Sequence, residues 1–133
     1  MTCFWNGLYH KLSDDDFKFI NEIKCKSLQD LITLLKRYFN LFDIDYIFYH
    51  GSDGKIEPLS KQFLSECKKA VLDYNIESMY NGYYCSTCDP FLILVCMLFK
   101  ITIEHKYINV DIKYIPRESR RKISCNSDSG HFW

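Results

Sequence analysis

Apolar residues recur at helical spacing along much of the chain. Phe4, Leu8 and Leu12 share one stripe, which predicts a short helix beginning at or near Cys3. Leu28, Leu31, Ile32, Leu35 and Phe39 follow a period of about 3.6 residues, and Ser27 with Asp30 supplies a helix-start signal in front of them. After a turn-rich segment from His50 to Gly54, Phe63, Leu64, Cys67, Val71 and Tyr74 form another apolar face, with Lys61, Glu66, Lys68 and Lys69 mostly opposite. Asp89-Pro90 predicts the cap and first residue of a further helix: Asp accepts from free backbone N–H groups, and proline lacks only an N–H that has no partner there. Phe91 to Phe99 is apolar all round, so this helix should be buried on several sides.

The period then changes to two. Ile101, Ile103 and His105 alternate with polar residues, and so do Ile108, Val110, Ile112 and Tyr114, which predicts two half-buried strands. Ile123–Cys125 and Gly130–Trp133 could add two more, the last ending the chain. Helices first and a small sheet afterwards imply an α+β fold in layers.

Composition narrows the class without changing this outline. A chain of 133 residues suits one domain spanning 1–133, and 47% hydrophobic and 17% aromatic residues with only 5 Gly and 3 Pro supply a well-filled core. The net charge of +0 gives no global field for nucleic acid or an anionic membrane. The apolar run at Phe91–Phe99 is less than half of the ~20 residues a membrane span needs, so no membrane partner is expected. Arg117, Arg120, Arg121 and Lys122 form a local basic cluster that could contact nucleic acid or an acidic partner, but a solvated hairpin loop diluted by Glu118 is the commoner reading. Seven cysteines at irregular spacing, with no signal peptide, are read as free thiols of the cytosol or nucleus. Ala70 is the single alanine among many Lys, Ile, Tyr and Phe residues, a bias suited to the A/T-rich genomes of large DNA viruses and some protists.

The candidate chemistry starts at Cys3. A cysteine at a helix N-terminus has its thiolate stabilised by the helix dipole and by unpaired N–H groups, which can also receive an oxyanion. His131, in Gly130-His131-Phe132-Trp133, could serve as its base if the sheet brings the chain ends together. On spacing alone, the commoner reading is that Cys3 is one buried cysteine of seven and His131 a tail histidine. Cys85-Ser86-Thr87-Cys88 has ligand spacing, yet no second pair completes a tetrahedral site, so neither a metal nor any other cofactor is expected. Asp14-Asp15-Asp16 after Ser13 marks a short helix start rather than a cation site. His50 and His105 have no obvious partner in the sequence.

Thr2-Cys3-Phe4-Trp5-Asn6-Gly7-Leu8 resembles the nucleophile segment of OTU (ovarian-tumour-type) and related papain-like cysteine proteases. There, bulky apolar residues, a small residue and Leu follow the Cys as the helix begins. Asp89 through His105 resembles that family's central helix and core strand, and Asp128-Ser129-Gly130-His131-Phe132-Trp133 its closing block. The resemblance covers the chain from end to end. It implies an OTU/papain-like fold with a small sheet packed between helices, the helix of Cys3 crossing next to the terminal strand. It also implies a thiol-dependent hydrolase acting on ubiquitin or a related modifier, a deubiquitinase or viral processing protease, with Cys3 as nucleophile and His131 as general base. Its partner would be ubiquitin or a similar modifier, and its place the host cytosol or nucleus, or the virion.

The chain departs from the family pattern at both ends. Met1 and Thr2 stand where an Asp and a Gly are usual, and Trp133 where an Asp or Asn often orients the histidine. Asn6 and Asp128 are the nearest substitutes, and Asp128 could reach His131 only through a bend at Gly130. A divergent or truncated enzyme is therefore expected, or alternatively a catalytically inactive OTU-like module that binds ubiquitin or serves as a structural or interaction protein.

Overall fold

A computed structural model describes residues 3–45, 47–51, 54–128 and 130–133. Met1, Thr2 and Ser129 of the two end motifs, and Ser52 and Asp53 of the expected turn, lie outside the described residues. In chain order the elements are α1 (Cys3–Lys11), α2 (Asp14–Phe19), α3 (Leu28–Arg37), α4 (Leu41–Ile44), β1 (Phe48–His50), β2 (Ile56–Pro58), α5 (Lys61–Asp73), a 3-10 helix (Ile76–Asn81), α6 (Pro90–Phe99), β3 (Ile101–Tyr107), β4 (Val110–Ile115) and β5 (Arg121–Ser127).

The helix starts have the chemistry expected of them. Ser27 accepts from the Asp30 N–H, and Asp89 accepts from the Phe91 and Leu92 N–H groups ahead of Pro90. α6 is buried from Phe91 to Phe99 and is the post around which the domain is built, touching α2, α3, α4 and α5 as well as β3 and β4. It ends at Lys100 in the left-handed conformation, φ 55°, and the chain turns directly into β3.

The strands form a mixed five-stranded sheet ordered β2-β1-β4-β3-β5, with β3 and β5 parallel and the other neighbours antiparallel. Three features differ from the expectation. The β1–β2 hairpin interrupts the helices, so the order is not helices first and sheet last. The segment 130–133 is not a strand: Phe132 makes a single bridge to Ser127, and the Trp133 N–H and C=O pair with Asn126. The sheet is also not packed between helices. Ile101, Ile103, His105, Ile112, Tyr114, Ile123 and Cys125 are buried beneath the helices, whereas Glu104, Lys106, Asp111, Lys113, Lys122 and Ser124 line an opposite face that is exposed or half-buried.

Asp16 ties the layers together. Its carboxylate is fully buried as part of a capping box with Ser13. Oδ1 accepts from Arg120 Nη2 at 2.8 Å and Arg121 Nε at 3.0 Å, and Oδ2 from Arg121 Nη2 at 2.6 Å. Arg121 also donates to the Lys11 carbonyl at the end of α1, and Arg120 to the Phe99 carbonyl at the end of α6. Burial alone would raise the Asp16 pKa, but the hydrogen bonds from Arg121, the Ser13 N–H and Arg120 outweigh it and bring the pKa from 3.8 to about 2. A carboxyl depressed in this way adds stability above its unfolded value and loses it as pH falls through its folded value. Asp16→Asn is thus expected to lower the unfolding free energy by about 2 kcal/mol near neutral pH. The difference from wild type should shrink as pH falls from 3.8 towards about 2. Urea unfolding at a series of pH values measures this; a pH-independent difference would contradict the linkage.

Candidate functional site

α1 is tied at two places to β5 and the residues that follow it. At its C-terminal end Lys11 donates through Nζ to the Ser124 carbonyl, and its own carbonyl accepts from Arg121. Further towards its start, Phe132 packs on Gly7. A Cβ built at Gly7 would lie 2.6 Å from Phe132 Cδ1, so the ring occupies space that only a glycine leaves open. The same ring sits 4.9 Å from that of Phe4, centroid to centroid. The last residues of the chain therefore lie against the first turns of α1.

The histidine comes from a turn. After β5, Asp128 Oδ1 accepts from the Gly130 and His131 N–H groups, both at 2.9 Å, and lies 3.3 Å from His131 Nδ1. The Asp128 N–H donates to the His131 carbonyl, closing the turn. The bend at Gly130 thus brings Asp128 to the ring, as a regular strand could not. The His131 side chain is two-thirds exposed, and Nε2 is the ring nitrogen left for a second partner. Trp133, where the family often has an acid, is exposed and pairs through its backbone. Asn6 is exposed on α1.

Cys3 is the first residue of α1 and is half-buried. With Gly130 it walls a cavity of about 130 Å³ that is completed by Asn81, Gly82, Tyr83 and Tyr84. Gly82 has φ 87° and ψ 161°, a region essentially restricted to glycine, and it lets the loop pass close to Cys3. Tyr83 packs on Phe4 and Trp5. No hydrogen bond joins the Cys3 thiol to the His131 ring among the contacts of the described residues.

Behind the cavity lies a polar cluster that the sequence did not signal as a unit. His105 faces inward from β3, with Nε2 at 2.6 Å from Ser127 Oγ and 3.8 Å from Cys85 Sγ. Asp89, besides capping α6, accepts from the Tyr83 hydroxyl at 2.7 Å and the Ser86 N–H, while its own N–H donates to Tyr114. Burial lowers the His105 pKa to about 4. Burial raises that of Asp89 to about 6, against hydrogen bonds from Tyr83 and the Ser86, Leu92 and Phe91 N–H groups. Burial also pushes the Cys85 thiol well up, so Cys85 and His105 face each other as neutral groups out of reach of a substrate carbonyl. An inward histidine in the alternation Ile101, Ile103, His105 was the available signal, but its partner Ser127 lies on a strand whose pairing the sequence does not reveal.

The remaining candidates have structural surroundings. Cys85 and Cys88 sit in the loop before α6, the first buried and the second half-buried at φ 55°. Arg120 and Arg121 are taken up by Asp16, Arg117 by Asp45 and Lys122 by Glu104. Asp14 and Asp15 begin α2, and His50 ends β1. No helix among the described residues is long and apolar enough to cross a membrane. No protein-family model matches the chain, and no curated protein or solved structure gives a significant match.

Burial raises the pKa of the Cys25, Cys67, Cys85, Cys88, Cys96 and Cys125 thiols, reaching about 12 for Cys67 and Cys125. The thiolate is the reactive form. A limiting alkylating reagent near neutral pH is therefore expected to label Cys3 at least about tenfold faster than any other cysteine. Mass-spectrometric mapping reads this directly, and first labelling at Cys25 or Cys88 would contradict it.

Proposed function

We propose that the chain is an OTU-like thiol hydrolase acting on ubiquitin or a related modifier, with Cys3 as nucleophile and His131 as general base. One observation carries this reading. The Asp128–His131 turn, which holds a histidine by one ring nitrogen and leaves the other available, is docked through Phe132 on the helix that Cys3 begins. An acid on one imidazole nitrogen, with the other left for a nucleophile, is half of the arrangement that triads share on unrelated folds.

In this reaction the Cys3 sulfur gives its proton to His131 and attacks the carbonyl carbon of the scissile peptide or isopeptide bond. Backbone N–H groups at the N-terminal end of α1 receive the negative charge on the carbonyl oxygen. The C–N bond breaks as the imidazolium protonates the leaving amine, giving a thioester on Cys3. His131 then takes a proton from water, whose oxygen attacks the thioester carbonyl, and the thiol is regenerated with release of the carboxylic acid. Asp128 orients the ring in place of the acid expected at 133. Solvent exposure weakens this contact and makes turnover slow.

The second reading is an inactive module of the same architecture that binds ubiquitin. It is favoured by the lack, among the contacts of the described residues, of a hydrogen bond between Cys3 and His131. A ubiquitin derivative with a C-terminal electrophile separates the two. An active enzyme forms one covalent adduct, on Cys3, that disappears in Cys3→Ala. His131→Ala is expected to slow adduct formation by roughly 100-fold or more, the usual range for losing a general base. Saturable binding of ubiquitin with no adduct would favour the inactive module, and an adduct that survives Cys3→Ala would exclude the proposed nucleophile.

A further inference from the structure

The buried polar cluster behind the cavity is continuous. The Tyr83 hydroxyl donates to Asp89, which also accepts from the Ser86 N–H; the Cys85 thiol lies 3.7 Å from the Ser86 carbonyl and 3.8 Å from His105 Nε2, and Ser127 Oγ lies 2.6 Å from the same nitrogen. Its two branches end at the two walls of the candidate site. Tyr83 forms part of the cavity beside Cys3. Ser127 is the last residue of β5 and directly precedes Asp128, whose carboxylate organises the turn carrying His131.

His105 fixes the direction of the chain. Its Nδ1 is buried without a hydrogen-bond partner. An orphaned N–H is rarer in folded proteins than an orphaned acceptor, so the ring proton belongs on Nε2, where it is donated to Ser127 Oγ. The His105 ring is itself clamped, stacked on Tyr114 at an interplanar angle of 25° and only 1% exposed. The donor on which Ser127 rests is thus fixed by the core.

We infer that His105 and Ser127 are positioning residues that hold the base of the Asp128–His131 turn in register with the wall formed by Tyr83 and Cys3. This deepens the proposed function and rests on it, because positioning matters to catalysis only if His131 acts as the base. The anchoring itself concerns the ligand-free fold. Neither residue touches substrate: both lie in the core, and their effect passes through the backbone from Ser127 to Asp128.

The test combines a structural and a catalytic readout on Ser127→Ala, Ser127→Thr, His105→Gln and His105→Phe. Hydrogen exchange at the Gly130 and His131 amides reports the turn, with the Ile103 amide as a control for the folded sheet. In Ser127→Ala and His105→Phe, exchange at Gly130 and His131 is expected to rise about tenfold, as for loss of one buried hydrogen bond, while Ile103 is unchanged. Ser127→Thr keeps a hydroxyl and His105→Gln keeps a side-chain N–H, so both should restore protection. With the ubiquitin probe, Ser127→Ala should lower the rate of adduct formation at saturation with little change in the half-saturating concentration, and Ser127→Thr should recover it. Unchanged turn exchange in Ser127→Ala and His105→Phe overturns the inference whatever the enzyme activity. If exchange responds as expected but wild type forms no adduct, the anchor stands and the proposed hydrolase activity fails. If Ser127→Ala unfolds, seen as lost Ile103 protection, the His105→Gln and His105→Phe pair decides between restored and lost turn protection.

Discussion

Gly7 and Phe132 set the relation between the two ends of the chain. A glycine inside a helix costs about 1 kcal/mol relative to alanine. Here it opens a slot on α1 that a side chain would fill, and Phe132 closes it. Burying the phenyl ring offsets the cost, since a fully buried aromatic contributes roughly 1.5–3 kcal/mol. The Asp16–Arg121 clamp fixes the other end of α1 against the start of β5. With both attachments made, α1 can neither slide along β5 nor pivot away from it, and the histidine turn follows from where β5 ends.

The rest of the domain serves this placement from the inside. α6 brings Asp89 to the centre of the core, where it is fully paired, and Tyr83 extends that pairing to the aromatic cluster of Phe4, Trp5, Tyr74 and Phe91. The parallel pairing of β3 with β5 sets Cys125 opposite His105, which leaves Ser127, two residues further along β5, within reach of the His105 ring. Neutral forms of His105 and Cys85 keep this interior free of uncompensated charge, while the Asp128–His131 pair lies exposed at the surface. Cys85 and His105 are thereby kept neutral and away from solvent.

Elements with a long period were legible from the sequence. α3, α5, α6, β3 and β4 each carry enough apolar repeats, or a cap as strong as Asp89-Pro90, for local chemistry to decide the outcome. β1 and β2 have three residues each, too few to show a period, and they form because β4 offers an edge to pair with. The terminal strand failed because Asp128 gives the Gly130 and His131 N–H groups a local partner, and that competes with ladder pairing. The basic cluster looked like a solvated loop because its carboxylates are remote in sequence: Arg120 and Asp16 are separated by 104 residues. Cys3 and His131 could be singled out by residue type, whereas the close approach at Gly7 and the bend that delivers Asp128 to His131 depend on where β5 ends, at Ser127.

The docking of the chain end on α1 is the claim on which the candidate site stands, and proton–proton distances across that contact test it most directly. In nuclear Overhauser spectra of the wild-type protein, the Gly7 α-protons are predicted to show strong cross-peaks to the Phe132 ring, and the Phe4 ring to show cross-peaks to the same protons. A Phe132 ring with no cross-peaks to α1, and with the shifts of a solvated side chain, would contradict the account.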